Sequence, residues 1–161
     1  AAVVQAEEGE LYPSVAGSDG TMGHVLACES RVQNDWQQKE ADRKTYIDMD
    51  GTAVFKFAVR KMPEMAKSLM TQMHCTEADI DWFITHQANE RIIEAIAKRL
   101  KSDIAKFPMN IAECGNTSSA SIPILLDEMN RSGQFKDGQK IIMAGFGAGL
   151  SWGAVYMEWH A

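Results

Sequence analysis

Residues 81–100 read DWFITHQANERIIEAIAKRL, and this stretch decides the fold class. Its first five residues, 81–85, are mostly apolar and rich in strand formers. In residues 89–100 the isoleucines and Leu100 recur at three- and four-residue spacing, which is typical of an amphipathic helix. The stretch therefore predicts a strand, a loop that carries His86, and a helix.

A second unit of the same kind is predicted immediately downstream. Residues 107–112 are strand-like, and Gly115 with Asn116 favours a turn. Residues 118–131 favour a helix, with Pro123 near its first turn. Two strand–loop–helix units side by side imply an α/β sheet.

The flanking segments predict one more helix and a hairpin. Residues 54–70 carry apolar side chains at helical spacing, and Pro63 is expected to kink or divide that helix. Residues 141–144 and 152–159 read as strands joined by the glycine-rich residues 145–149, which predicts a hairpin. The glycine spacing superficially resembles a dinucleotide-binding loop, but no helix is predicted after it, so we reject a Rossmann site.

The amino-terminal residues give a weaker pattern. Residues 1–6 read as a strand with no turn or cap before it, so the chain is expected to begin inside an element. Residues 7–48 are mostly polar and turn-rich and are expected to form strands or loops.

Composition limits the class of protein. With 161 residues, 45% hydrophobic and 24% charged, the chain fits one globular domain. It shows neither a signal-peptide pattern nor a run of about 18 apolar residues, so we expect a cytoplasmic protein with no membrane partner. The net charge of −6 argues against nucleic acid as a partner. Cys28, Cys75 and Cys114 are too widely spaced for paired metal ligands, so reduced thiols and no metal site are expected.

His86 and Asn116 are the candidate catalytic residues. Each is predicted to follow a strand and precede a helix, where open α/β sheets place functional side chains. Two neutral donors that converge there can stabilise an oxyanion. On the residues alone, a structural His and a turn-forming Asn remain the simpler alternatives.

Four segments in order resemble β-ketoacyl-acyl-carrier-protein synthase III. Residues 81–93 resemble its His motif, and residues 115–123 resemble its Asn motif. Residues 145–153 resemble its terminal glycine loop, and residues 49–56 resemble the start of its carboxy-terminal half. The resemblance identifies the chain as a member of this family.

The resemblance implies a thiolase-like α/β fold with a mixed sheet, packed helices and two βαβαβ-containing halves. Residues 49–161 would be the carboxy-terminal half, and residues 1–48 would supply a strand and loops from the tail of the amino-terminal half. The family's nucleophilic Cys has no counterpart here, so a polypeptide that carries the amino-terminal half is an implied partner. Family resemblance also implies a homodimer of the completed enzyme.

The implied activity is an acyl transfer that starts fatty acid synthesis. The family loads an acyl group from acyl-coenzyme A onto its Cys and then binds malonyl-acyl-carrier protein. Loss of carbon dioxide gives a carbanion that attacks the acyl thioester. The coenzyme A thioester is a substrate, and no cofactor is implied to stay bound.

The resemblance also assigns roles to individual residues. His86 and Asn116 would donate hydrogen bonds to the malonyl thioester oxygen. Phe146 would line the decarboxylation pocket, and the backbone N–H groups of Gly147 and Ala148 would hold the acyl-enzyme oxygen.

Basic residues on the helix predicted after His86, and one on the helix before it, match those with which the family binds its acidic carrier protein. They are Arg91, Lys56, Lys98 and Arg99. A local cationic patch on an acidic chain suits an acidic partner. A solvated helix face with a Glu94–Lys98 pair is the alternative explanation.

Three other functions stay open. The first is a synthase III-like acyltransferase of secondary metabolism with another acceptor. The second is a non-catalytic half-subunit that docks a partner. The third is a cysteine hydrolase that uses Cys114 with His86, which requires a lowered thiol pKa.

Overall fold

The computed structural model describes residues 12–28 and 46–160. The strand predicted at residues 1–6 lies outside the described residues. The boundary predicted between residues 48 and 49 stays a prediction.

A four-stranded mixed sheet lies at the centre of the described structure. Its strands, in spatial order, are β1 (Ser14–Ser18), β6 (Ser151–Glu158), β5 (Lys140–Gly147) and β4 (Trp82–Thr85). β4 and β5 run parallel, whereas β1 with β6 and β5 with β6 run antiparallel. Two short strands, β2 (Leu26–Ala27) and β3 (Asp48–Met49), pair separately.

Four α-helices accompany these strands in the described part of the chain. They are α1 (Gly51–Gln72), α2 (Glu90–Leu100), α3 (Ile111–Cys114) and α4 (Ser121–Arg131). The helices predicted at residues 54–70 and 89–100 are confirmed as α1 and α2. The third predicted helix begins as a 3-10 turn at Ser118–Ala120 and continues as α4.

Pro63 does not divide α1, which is one helix from Gly51 to Gln72. A proline has no N–H to donate to the carbonyl oxygen four residues earlier, which here belongs to Val59. Arg99 on α2 donates from Nη1 to this oxygen at 3.2 Å. The arginine thus supplies the donor that the proline lacks and links the two helices.

The strand predicted at residues 107–112 is wrong. Phe107 caps a 3-10 turn, and the chain then runs irregularly into α3. Pro108 cannot donate to a strand ladder, and the Phe107 ring stacks on Phe83 with 4.7 Å between centroids. This segment covers the sheet instead of joining it, so Asn116 follows a short helix and not a strand.

The hairpin at the carboxyl end is confirmed, with longer strands than predicted. β5 continues through Gly147, which pairs with Ser151 at the start of β6. The glycine-rich segment is therefore mostly strand, and a strand follows it. This agrees with the rejection of a dinucleotide-binding loop.

The core forms on both faces of the sheet. Buried residues of α1 and α2 pack with Phe83, Ile142 and Tyr156 on one face. Leu125 and Met129 of α4 pack with buried sheet residues on the other face. Both faces hold the carboxyl end of β4 in place, and His86 follows that end directly.

Candidate active site

A cavity of about 900 Å³ opens beside the carboxyl end of β4. The predicted catalytic and pocket residues all line it, namely His86, Asn116, Phe146, Gly147 and Ala148. The structure therefore brings these five residues together, and their roles remain predictions. An apolar wall next to polar side chains is typical of sites for small molecules or cofactors.

His86 is fixed through both its backbone and its ring. Its N–H donates to the carbonyl oxygen of Ala144 on β5 at 2.9 Å, which extends the parallel pairing by one residue. Nδ1 lies 2.7 Å from Oγ of Ser121, at the start of α4. The ring also meets Phe146 edge-on, with 5.6 Å between centroids. Burial lowers the pKa of His86, so the neutral imidazole is favoured.

The side chain of Asn116 takes part in a turn, and its role as a donor to substrate stays a prediction. Its Oδ1 accepts the N–H of Ser118 at 2.9 Å, which makes it a turn residue, as the simpler alternative predicts. The preceding Gly115 has a φ of +65°, a conformation that favours glycine. Because Oδ1 is engaged in the turn, the amide Nδ2 is left as the group that can donate to a ligand in the cavity.

A buried amide network joins the two loops of the site. Gln87, which is 0% exposed, donates from Nε2 to the carbonyl oxygen of Thr85 at 2.9 Å. Its Oε1 accepts the N–H of Asn110 at 3.2 Å. Asn110 in turn donates from Nδ2 to Oε2 of Glu128 on α4 at 2.7 Å. The loop of His86 is thereby connected to the segment that leads into Asn116.

Sequence analysis missed both this network and Ser121. Gln87 stands directly after a candidate catalytic His, but only the structure shows that it is buried and that its amide therefore needs partners. Those partners are distant in the chain, so no local sequence pattern identifies them.

The predicted carrier-binding residues lie outside the cavity. Lys56 and Arg99 line a groove of about 520 Å³ together with Arg60 and Phe55. We call this surface the α1–α2 groove, because its bases belong to those two helices. Arg91 and Lys98 are exposed on α2. They are not among the residues that line the groove.

Cys114 lacks the property that a hydrolase nucleophile requires. Burial and the nearby Glu128 carboxylate raise the pKa of its thiol. Its Sγ donates to Oε1 of Glu128 at 3.7 Å, which stabilises the thiol and not the thiolate. These contacts argue against the cysteine hydrolase alternative.

Two features of the described residues concern metal ligands and membrane-spanning helices. Within residues 12–28 and 46–160, no three His, Cys, Asp or Glu side chains are grouped as metal ligands would be. None of the helices described has both the length and the apolar character to cross a membrane.

The fold is that of the thiolase-like class, a mixed sheet with helices packed on both faces. The family model of the 3-oxoacyl-[acyl-carrier-protein] synthase III carboxy-terminal region matches residues 70–159, so the chain belongs to this family. A β-ketoacyl-[acyl-carrier-protein] synthase III of Clostridium novyi is 42% identical over 161 residues. That match covers 99% of this chain and 50% of the relative.

Solved structures agree with the family assignment. The 3-oxoacyl-(acyl carrier protein) synthase III of Pseudomonas aeruginosa superposes with a TM-score of 0.82 at 36% identity. The superposition covers 99% of this chain and 47% of the Pseudomonas aeruginosa chain. The Thermus thermophilus synthase III gives 0.83 at 36% identity, over 98% of this chain and 49% of that one. The chain thus spans about half the length of the relatives it matches.

Proposed function

We propose that this chain supplies the His and Asn part of a β-ketoacyl-acyl-carrier-protein synthase III active site. The completed enzyme would join an acyl-coenzyme A primer to malonyl-acyl-carrier protein and so start fatty acid synthesis. The observation that carries the proposal is that His86 and Asn116 line the same cavity, where burial lowers the pKa of His86 and so favours the neutral imidazole.

The first step takes place on a Cys that the remaining half of the enzyme would carry. Its thiolate attacks the acyl-coenzyme A carbonyl carbon, the C–S bond to coenzyme A breaks, and coenzyme A leaves as a thiolate that takes up a proton from water. The N–H groups of Gly147 and Ala148 would hold the oxygen of the acyl group so formed. This half, whether in the same polypeptide or another, is the partner that the proposal requires.

The second step uses the two donors of this chain. Malonyl-carrier protein loses carbon dioxide, and the electron pair of the broken C–C bond moves to give an enolate. His86 and Asn116 Nδ2 would donate to the thioester oxygen as its negative charge develops. Phe146, edge-on to the imidazole, would keep water from the carboxylate that is lost.

The last step forms the product without any added group. The enolate carbon attacks the acyl-Cys carbonyl, the tetrahedral intermediate collapses, and the Cys thiolate leaves. The product is a β-ketoacyl-carrier protein.

Arg91 and the bases Lys56, Lys98 and Arg99 would attract the acidic carrier protein. The completed enzyme is proposed to act as a homodimer and to need no bound cofactor or metal.

The test uses a complete enzyme, made by joining this chain to the amino-terminal half of the Clostridium novyi relative. We expect His86→Ala and Asn116→Ala each to slow malonyl decarboxylation about a hundredfold or more, because each removes one donor to the enolate oxygen. Acylation of the Cys should persist in both variants. Full decarboxylation by both variants would refute the assigned donors.

A further inference from the structure

Among the described residues, one ring nitrogen of His86 has a hydrogen-bond partner, and that partner is Ser121. Its Oγ lies 2.7 Å from Nδ1, although the two residues are 35 positions apart in the chain. Ser121 is 2% exposed, and the little surface it keeps lines the cavity. Its hydroxyl therefore relies mainly on protein groups for its hydrogen bonds.

The proton on this bond can be assigned by counting donors. The N–H of Gln87 donates to the same Oγ at 3.3 Å, and a backbone N–H cannot act as an acceptor. If Nδ1 also donated, the hydroxyl would accept two bonds and its own hydrogen would be left over. Within residues 12–28 and 46–160, His86 Nδ1 is the one acceptor found for that hydrogen. A buried donor without a partner costs about 1–3 kcal/mol.

The opposite arrangement satisfies every group. The Ser121 hydroxyl accepts from Gln87 and donates to Nδ1, so the ring proton lies on Nε2. We propose that Ser121 is a positioning residue, which fixes the tautomer and orientation of His86 so that Nε2–H donates to substrate in the cavity. This inference rests on the proposed function, because it names the group that prepares the His donor for its role.

Two further features favour the same neutral ring. Burial lowers the pKa of His86, which disfavours a second proton. Ser121 is also the first residue of α4, an 11-residue helix whose positive end therefore lies beside Nδ1. A positive helix end disfavours an imidazolium at that position.

The kinetic test compares three variants of the complete enzyme. Ser121→Ala removes the donor, and Ser121→Thr keeps a hydroxyl. Ser132→Ala is the matched control, because it removes a hydrogen-bonded serine hydroxyl at the other end of α4. We expect Ser121→Ala to lower kcat for decarboxylation about tenfold or more with little change in KM, since a misaligned donor weakens transition-state binding. Ser121→Thr should recover most of the rate, and Ser132→Ala should retain it.

The spectroscopic test is independent of turnover. In ¹⁵N NMR of the complete enzyme, His86 should show one neutral tautomer with Nε2 protonated. Ser121→Ala should shift the Nδ1 resonance towards that of an unbonded ring nitrogen, and Ser121→Thr should restore it. Protonated Nδ1 in the unaltered enzyme would overturn the proposal even if Ser121→Ala failed to fold. Unchanged ring nitrogens in a folded Ser121→Ala variant would also overturn it.

Failure of the proposed function would be visible separately. In that case His86→Ala would leave decarboxylation intact, whatever tautomer NMR reports. A rate loss in His86→Ala with no rate loss in Ser121→Ala would instead refute the positioning role alone.

Discussion

The loop that carries His86 and the α1–α2 groove hold their polar side chains in opposite ways. In the loop, Gln87 is fully buried and its amide bonds to two separate chain segments. In the groove, Lys56 and Arg60 are exposed bases on one helix. Neutral hydrogen bonds inside the protein hold the loop in place, whereas the bases of the groove lie side by side because of their spacing along a helix.

This difference determines how each region should respond to change. Buried neutral bonds are insensitive to salt, but a lost partner leaves another buried group unsatisfied. Exposed charges are screened within about 8 Å at physiological ionic strength, and their loss leaves only water-accessible groups. Substitutions in the loop should therefore alter stability, and substitutions of the exposed bases should alter partner binding, except at Arg99, whose side chain also bonds the Val59 carbonyl oxygen.

The largest effect is expected for Gln87→Leu. Leucine keeps much of the volume but leaves the Asn110 N–H and the Thr85 carbonyl oxygen without their glutamine partner. Two such losses should lower the free energy of unfolding on the order of 3 kcal/mol. The measurement is the urea unfolding midpoint of the complete enzyme.

Gln134→Leu provides the control for that substitution. Gln134 is exposed, and its Nε2 bonds to the hydroxyl of Ser132, so its loss should cost little. Equal shifts for the two leucine variants would mean that burial of the Gln87 amide does not set its importance.

A smaller effect is expected for Arg91→Glu, an exposed site on α2. The reversed charge should lower kcat/KM for malonyl-carrier protein about tenfold at low salt, which corresponds to about 1.4 kcal/mol. Use of a small malonyl thioester should be unaffected, and added salt should reduce the difference between variant and unaltered enzyme.

Lys136→Glu makes the same charge change on the exposed segment between α4 and β5 and should leave both substrates unaffected. If Arg91→Glu impaired the carrier-bound and small substrates equally, Arg91 would have a role other than carrier binding.

Local sequence patterns predicted the elements whose structure depends on near neighbours. The isoleucine spacing predicted α2, and the glycine-rich segment between apolar runs predicted the hairpin. The prediction of a strand at residues 107–112 was wrong because apolar residues of this segment pack against a distant partner, as Phe107 does on Phe83. Periodicity cannot distinguish a strand from an irregular segment that covers a sheet.

The same limit applies to the site. His86 and Asn116 were predicted because the family resemblance assigns a role to each. Ser121 and Gln87 lie within the same two motifs, but they act through contacts with residues far away in the sequence, which no local pattern reveals. Their importance is apparent only from burial and hydrogen-bond partners.

The smallest effect concerns Arg99, which the sequence placed with the carrier-binding bases. Its Nη1 donates to the Val59 carbonyl oxygen, which the N–H at position 63 would bond if that residue were not proline. Arg99→Met should therefore lower the free energy of unfolding by about 1 kcal/mol. In a Pro63→Ala background the alanine N–H can take over this carbonyl, so the same substitution should cost almost nothing. A double-mutant cycle on urea unfolding measures this coupling directly.

Lys98→Met, at the neighbouring exposed base, should show no coupling to position 63. An equal cost of Arg99→Met in both backgrounds would mean that Arg99 does not compensate for the proline, and its place in the groove would then be explained by partner binding alone.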